Sequence, residues 1–140
     1  MIIDYQKIFN KNIINILVDV LKTIEENGLS KGHHLYITFE TDHNKVFIPK
    51  WLQDKYPKEM TIVIQYEYYN LKVKKDKFLI GLSFNDIKAN LEINYESVIS
   101  FADPYANFGL KLIDKEKYTK SITKNKKSNN IIDFKNYKKN

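Results

Sequence analysis

Apolar residues recur every three to four positions in the first part of the chain, and this period predicts a helix over residues 5–26. The apolar positions are Phe9, Ile13, Ile16, Leu17, Val20 and Ile24. On a helical projection they span about 100°, and Ile14 and Leu21 widen this arc to about 160°. Asn27 and Gly28 then supply a stop signal. A stripe this wide is either one broad core-facing surface, or a core-facing edge beside a second edge that meets a partner helix.

After this helix the apolar period shortens to two residues, which predicts a series of short strands. The predicted strands cover residues 35–39, 46–48, 61–69, 71–74, 78–84, 91–93, 98–101 and 109–113. Pro49 ends the second strand, residues 50–56 are predicted as a short helix, and Asn85-Asp86 as a turn. One helix followed by many short strands predicts an α+β, mainly β fold, built as a small β-barrel or a closely packed β-sandwich.

Beyond residue 113 the periodic pattern stops. Residues 114–130 are polar and rich in lysine, and we interpret them as a disordered, flexible linker. Apolar residues return in residues 131–140, at the end of the sequence. A short apolar motif after a polar linker is typical of a docking peptide, and the alternative is a segment that folds back on the barrel. We therefore divide the chain into a folded domain (1–113), a linker (114–130) and a tail (131–140).

The net charge of +6 lies in the C-terminal part of the 140-residue chain. Residues 1–113 hold 14 lysines and 14 acidic residues, whereas residues 114–140 hold 9 lysines and 3 acidic residues, and arginine is absent. A basic tail can bind RNA or a ribosome, but our interpretation is that its lysines keep the segment solvated. No apolar run approaches the roughly 20 residues of a membrane span, and the N-terminus lacks a signal-peptide pattern. We expect a cytoplasmic protein with no membrane contact.

Candidate catalytic and metal-binding residues are few. The absence of cysteine excludes disulfide scaffolds, cysteine-ligated metals and cysteine nucleophiles. His33 and His34 are adjacent, so on a strand they point to opposite faces, and with His43 they match no ligand spacing. The sequence has neither a Gly-rich phosphate loop nor a Gly-x-Ser-x-Gly motif. We predict a protein that is not an enzyme and uses no cofactor or metal, with a small metal-dependent enzyme as an alternative.

The aromatic run at residues 65–69 (QYEYY) has three interpretations. Aromatic side chains stack on nucleic acid bases, but this use calls for a basic groove beside them, and residues 1–113 are neutral. Tyrosines on a neutral surface suit peptide binding better. They are also favoured in sheets for their β-propensity alone.

Four runs of sequence carry a resemblance to a known family. They are residues 32–39 (GHHLYITF), 55–65 (KYPKEMTIVIQ), 82–87 (LSFNDI) and 101–110, which begins FADP and ends FGL. In this order and spacing they resemble the stringent starvation protein B family, most closely its shorter alphaproteobacterial branch. The similarity covers about residues 5–113, and the run 131–139 is similar to the terminal docking motif of that branch.

The resemblance implies a fold and a function. The family has an N-terminal helix followed by a small Sm-like β-barrel, forms a homodimer through the helix and is not catalytic. A groove on the barrel binds the ssrA tag that tmRNA adds to stalled nascent chains, and the tail binds the N-terminal domain of ClpX. The implied function is therefore that of an adaptor that tethers tagged proteins to the ClpXP protease. The rival prediction is an RNA-binding Sm-like barrel with a basic tail.

The family pattern also implies site residues. Those expected in the peptide-binding groove are Gln65, Leu82, Ser83 and Phe84, with Phe47 and Ile48 as a wall. Those expected to dock on ClpX are Ile131, Ile132, Phe134, Lys135 and Lys138. Those expected at the dimer interface are Ile13, Leu17, Val20 and Leu21. The groove would hold an extended peptide by backbone hydrogen bonds. Because the chain lacks arginine, Lys72 or Lys74 are candidates to balance acidic residues of the tag.

Overall fold

A computed structural model describes residues 2–113 of the chain. The elements are α1 (Tyr5–Asn27), β1 (Leu35–Glu40), α2 (Lys50–Lys55), β2 (Glu59–Ile64), β3 (Tyr68–Val73), β4 (Lys77–Phe84), β5 (Ile87–Asn94), β6 (Val98–Asp103) and β7 (Phe108–Lys111), with 3₁₀ turns at Tyr95–Ser97 and Pro104–Ala106. The predictions of a linker at 114–130 and a docking tail at 131–140 lie outside the described residues.

Helix α1 begins and ends where its capping residues require. The Asp4 carboxylate accepts a hydrogen bond from the Lys7 N–H at 3.0 Å, which satisfies one of the free donors of the first turn. Gly28 follows the helix with φ of +77°, and its N–H donates to the Ile24 carbonyl at 2.8 Å. The helix predicted at residues 5–26 is confirmed.

The strands form two antiparallel sheets. The first has the order β2-β1-β6-β7 and the second the order β3-β4-β5. An isolated bridge between Phe47 and Glu92 places residue 47 beside the second sheet, and this bridge is all that forms of the strand predicted at 46–48. The predicted class, a helix followed by a mainly β domain, is confirmed.

The core lies between the sheets and is closed by α1. Strands β1, β2, β4 and β5 contribute alternate residues to it, as the two-residue period requires. The central members are Leu35, Ile37 and Phe39 of β1, Ile62 and Ile64 of β2, Phe78 and Ile80 of β4, and Leu91 and Ile93 of β5. Helix α1 adds Ile13, Leu17, Leu21 and Ile24.

The single strand predicted at residues 61–69 is wrong, because the chain turns at residues 65–67 between β2 and β3. The two strands belong to different sheets, and no glycine or proline marks the turn. The turn predicted at Asn85-Asp86 is confirmed. Both residues have positive φ, +51° and +67°, as a two-residue hairpin turn of the primed type requires, and Phe84 pairs with Ile87 across it.

Candidate functional site

An exposed apolar surface lies where α2 meets the end of the β4–β5 hairpin. The Trp51 ring contacts the Phe84 ring edge-on, with centroids 6.2 Å apart. Phe84 pairs with Ile87 in the hairpin register, so the two side chains share a face. Trp51 is 41% exposed and Ile87 is 54% exposed. We call Trp51, Phe84 and Ile87 the Trp51 surface; exposed apolar residues that contact one another are typical of a binding site.

The chain approaches this surface along the outer edge of β5. The Phe47 N–H donates to the Glu92 carbonyl and the Glu92 N–H donates to the Phe47 carbonyl, both at 2.9 Å. Directly paired residues point to the same side of a sheet, so the exposed Phe47 side chain lies on the outer face with Glu92. Ile48 points the opposite way and packs half-buried against the core. The sequence analysis predicted that Phe47 and Ile48 together form a wall of the groove. This prediction is corrected, because the two side chains point to opposite faces of the sheet.

The other predicted groove residues also lie partly in the core and partly at the surface. Leu82 is only 5% exposed and points into the core with Phe78 and Ile80, so its prediction as a groove residue is corrected. Ser83 is exposed on the outer face of β4, and Phe84 belongs to the Trp51 surface. Gln65 is half-buried in the turn at 65–67, at the same end of the sheet, since the next strand begins with Tyr68 opposite Leu82.

Two of the three tyrosines in the run 65–69 have packing partners. Tyr68 packs half-buried against the core. The Tyr69 ring of β3 lies across Gly81 of β4, where an added Cβ would collide with the ring. The ammonium of Lys88, on β5, lies 5.5 Å from the centroid of the Tyr69 ring. Tyr66 alone of the three is well exposed. The β-propensity interpretation therefore accounts for Tyr68 and Tyr69.

The lysines named in the sequence analysis lie away from the Trp51 surface. Lys72 pairs with Leu79, five residues along β4 from Phe84, which corresponds to about 17 Å. Lys74 lies further along, where its N–H bonds to the Lys77 carbonyl. Lys50, at the start of α2, and Lys88, the residue after Ile87, are nearer along the chain.

Most of the predicted dimer interface lies inside the single chain. Ile13, Leu17 and Leu21 are 5%, 0% and 0% exposed, which leaves them no surface to offer a second copy. The prediction is corrected for these residues, because they face the sheets rather than a partner. Val20 is half-buried at the edge of the core-facing stripe.

A second apolar stripe runs along the solvent side of α1. It consists of Tyr5, Phe9, Ile16 and Val20, which we call the outer stripe; at about 100° per residue they lie within about 60° of one another. Ile16 is 39% exposed, and Tyr5 and Phe9 are more exposed. Beside it is an open cavity of about 450 Å³ lined by Tyr5, Gln6, Ile8, Phe9, Asn12 and Ile113.

The end of the described chain is fixed to α1. The Ile113 N–H donates to Asn10 Oδ1 and Asn10 Nδ2 donates to the Ile113 carbonyl, both at 2.8 Å. The side-chain amide thus bonds to Ile113 in the way that a neighbouring strand would. Ile113, the last described residue, consequently lies beside the N-terminal half of α1.

The histidines serve local structure. His33 Nδ1 lies 2.6 Å from Asp103 Oδ2, and its ring contacts the edge of Tyr105 at 4.6 Å between centroids. Burial alone would raise the pKa of the Asp103 carboxyl, but hydrogen bonds from His33 and from the Ala106 N–H outweigh burial and hold this pKa below its ordinary value. Within residues 2–113, no three histidine, aspartate or glutamate side chains are grouped to hold a metal ion.

Sequence reasoning missed Trp51 and did not assign Ile87 to a site; it left open the second edge of the α1 stripe to which Phe9, Ile16 and Val20 belong. Trp51 is the single tryptophan of the chain and follows Pro49-Lys50 at the start of a short helix, a position where a large side chain is hard to bury.

Among the helices of the described range, none has the length and apolar character needed to cross a membrane.

A family model described as SspB, stringent starvation protein B, matches residues 9–139, nearly the whole chain. No curated protein matches the sequence.

Proposed function

Because the chain belongs to the stringent starvation protein B family, a family of adaptors rather than enzymes, we propose that it binds the ssrA (tmRNA) degradation tag and tethers tagged proteins to the ClpXP protease in the cytoplasm. The observation that carries this proposal is the Trp51 surface. In it the rings of Trp51 and Phe84 contact each other and Trp51 and Ile87 are exposed, on a domain whose residues 1–113 carry no net charge.

The Trp51 surface has the properties of a peptide-binding site. Tryptophan contributes strongly at binding surfaces, since its large ring is buried at little conformational cost. Gln65 lies at the same end of the sheet and adds a polar group near the apolar ones, whereas Ser83 lies on the opposite face of β4. Lys50, next to Trp51 at the start of α2, takes the place of Lys72 and Lys74 as the candidate to balance an acidic residue of the tag.

Tethering rests on residues 114–140. In this proposal Ile131, Ile132, Phe134, Lys135 and Lys138 dock on the N-terminal domain of ClpX, and residues 114–130 connect them to the folded domain. These 17 residues span about 58 Å when fully extended. Linking two weak contacts gives the second an effective concentration on the millimolar scale, so neither contact has to be strong alone.

Dimerisation in this proposal uses the outer stripe of α1. Its exposed members are apolar and lie on one side of the helix, so a second copy that packed there would bury them. Val20 is the residue that this surface shares with the interface expected from the family pattern. The adjoining cavity adds apolar surface that a second copy would cover.

The test of tag binding is a fluorescence-anisotropy titration with a labelled ssrA-type peptide. We expect Trp51→Ala to weaken binding at least tenfold, because truncation of a central aromatic residue costs about 2 kcal/mol. Phe108→Ala is the matched control, since Phe108 is 45% exposed on β7 of the other sheet and should be replaceable without effect. Equal affinity of the Trp51→Ala variant and the wild type would place the tag elsewhere.

A parallel titration with a labelled single-stranded RNA separates the rival function. Phosphate binding weakens steeply as salt rises, whereas apolar peptide binding changes little. RNA binding that falls steeply between low and moderate salt, without any tag binding, would replace the adaptor function with an RNA-binding one.

A further inference from the structure

A β-bulge decides which side chains of β3 lie on the outer face of the second sheet. Tyr69 pairs with Gly81 and Lys72 pairs with Leu79, so two residues of β3 stand opposite one residue of β4 between these pairs. Residues three apart in a regular strand point to opposite faces, but the extra residue returns Lys72 to the face of Tyr69. The bulge includes Asn70, which has φ of +53°, a left-handed conformation that asparagine tolerates better than most residues.

The Tyr69 ring is held in place on this outer face. Three of its atoms lie where a Cβ of residue 81 would be, so the ring rests directly on the backbone of the middle strand. Only glycine at position 81 permits this close approach. Because one side of the ring is against the sheet, the exposed part of this half-buried side chain faces solvent. Packing thus presents an aromatic ring to a ligand at little conformational cost.

Two exposed lysines flank the Tyr69 ring along the strand direction. Lys88 belongs to the residue pair two positions from Gly81 toward the β4–β5 turn, and its ammonium lies 5.5 Å from the centroid of the Tyr69 ring. Lys72 belongs to the residue pair two positions from Gly81 in the other direction. These two pairs are about 13 Å apart along β4. We call Tyr69, Lys72 and Lys88 the Tyr69 platform.

The Tyr69 platform is positively charged, although residues 1–113 carry no net charge. On the same face, Lys77 and Glu92 neutralise each other through an ion pair of 3.2 Å. Neither Lys72 nor Lys88 forms an ion pair within residues 2–113. The same surface of a second copy would bring like charges together, and so would the lysine-rich residues 114–140. The charge therefore selects an anionic ligand.

We propose that the Tyr69 platform binds single-stranded RNA, with one base stacked on Tyr69 and the phosphates on either side of that base held by Lys72 and Lys88. Lysine binds phosphate as a point charge, and every base has a flat face that stacks on an aromatic ring. The bases of a duplex are stacked on one another, whereas the unpaired bases of RNA loops and ends are free to stack on protein.

This inference goes beyond the proposed function. Lys88 follows Ile87 in β5, so the two side chains point to opposite faces of the strand. The Tyr69 platform and the Trp51 surface consequently lie on opposite faces of the β4–β5 hairpin. RNA and the degradation tag can therefore bind at the same time.

A fluorescence-anisotropy titration of the full chain with a labelled single-stranded oligouridine tests the stacking contact. Tyr69→Leu should weaken binding about fivefold or more, because the ring that stacks on the base is lost. Tyr69→Phe keeps the ring and should bind within twofold of the wild type. A duplex of the same oligouridine with oligoadenosine is the control probe, and both variants should bind it as the wild type does. Thermal unfolding checks the fold. An equal loss with both probes, or no loss with either, overturns the inference.

The double variant Lys72→Gln with Lys88→Gln tests the phosphate contacts without changing the ring. The slope of log K against log salt concentration should become less negative by about 1.4, since each phosphate contact of a single strand contributes about 0.7. Lys58→Gln with Lys111→Gln is the matched control, because these exposed lysines lie beside β2 and on β7, in the first sheet. It removes the same charge and should leave the slope unchanged. Equal slopes for the two double variants would place the RNA elsewhere and overturn the inference.

Competition with an acidic peptide separates RNA from other anions. Hexaglutamate should displace the labelled oligouridine at least tenfold less well than unlabelled oligouridine does, because the peptide has no bases to stack. Equal displacement by the two competitors overturns the inference, since the platform would then accept any anion.

The ssrA-type peptide separates a failure of this inference from a failure of the proposed function. Tyr69→Leu should bind this peptide within twofold of the wild type, which supports two separate sites. A loss of tag affinity that parallels the loss of RNA affinity overturns the inference. If the tag peptide does not bind the wild type at all, the proposed function fails, and the RNA titrations alone then support or overturn the Tyr69 platform.

Discussion

The substitution Ile16→Asp tests whether one face of α1 packs on the sheets while another forms the dimer interface. Ile16 and Leu17 are neighbours in sequence but lie about 100° apart on the helix. Leu17 is fully buried within the chain, whereas Ile16 is 39% exposed on the outer stripe. We expect Ile16→Asp to break the dimer and leave the folded domain intact. Leu17→Ala, by contrast, should cost about 3–5 kcal/mol of unfolding free energy, because it leaves a cavity in the core.

The expected loss of dimer stability follows from the exposed fraction of the Ile16 side chain. Full burial of an isoleucine side chain is worth about 2 kcal/mol, so the 39% of Ile16 left for a partner corresponds to about 0.8 kcal/mol per copy. Both copies carry the substitution, and each buried carboxylate without a partner costs a further ~1–3 kcal/mol. The dimer is therefore weakened by about 4–8 kcal/mol, which raises the dissociation constant by about 1,000-fold or more.

Sedimentation velocity over a range of protein concentrations measures this shift, and urea unfolding measures the fold. Asn15→Asp is the matched control, because Asn15 is exposed, lies one residue away and is off the outer stripe. It adds the same charge to the same helix and should leave the dimer unchanged. If the two variants sediment alike, or if the wild type is monomeric at tens of micromolar, the outer stripe is not the dimer interface.

Three further results are expected. Deleting residues 131–140 should leave tag-peptide affinity unchanged but abolish stimulation of ClpXP degradation at low substrate concentration, which a tagged reporter assayed at several concentrations measures. Because the pKa of Asp103 is lowered, its hydrogen bonds stabilise the fold at pH values above the ordinary pKa of 3.8, and this stabilisation is lost as the pH falls through the lowered pKa. Urea titrations at pH 7 should therefore give Asp103→Asn a free energy of unfolding about 1–2 kcal/mol below that of the wild type. This difference should narrow below pH 3.8. Gly81→Ala should cost about 1–3 kcal/mol of unfolding free energy because its Cβ collides with the Tyr69 ring, and a double-mutant cycle with Tyr69→Ala should recover part of this loss.

Features set by near neighbours in the chain were predictable from sequence. The end of α1 depends on Gly28, and the β4–β5 hairpin depends on a two-residue turn that only residues tolerant of positive φ can form. The burial of Leu82 was also predictable, since it alternates with Phe78 and Ile80. The turn at 65–67 was not, because its residues have strand propensity and the change of sheet is a tertiary event.

Features that depend on packing could not be assigned from the pattern alone. The apolar period of α1 includes both Leu17 and Ile16, and only docking on the sheets decides which of them is buried. His33 and Asp103 are 70 residues apart in the chain, so their hydrogen bond leaves no local signal. The Trp51 surface likewise joins a short helix to a distant hairpin.

The attachment of Ile113 to Asn10 has a mechanical consequence. Force applied to the chain beyond residue 113 loads the two Asn10 hydrogen bonds first, and then the bond from the Leu112 N–H to the Ile99 carbonyl. After these, β7 peels from β6 one residue pair at a time, starting at Lys111 and Ser100, because a strand pulled from its end never shares the load among all its bonds. A pull on the chain beyond residue 113 is thus released at the edge of the first sheet, at low force, while the Trp51 surface on the other sheet keeps its shape.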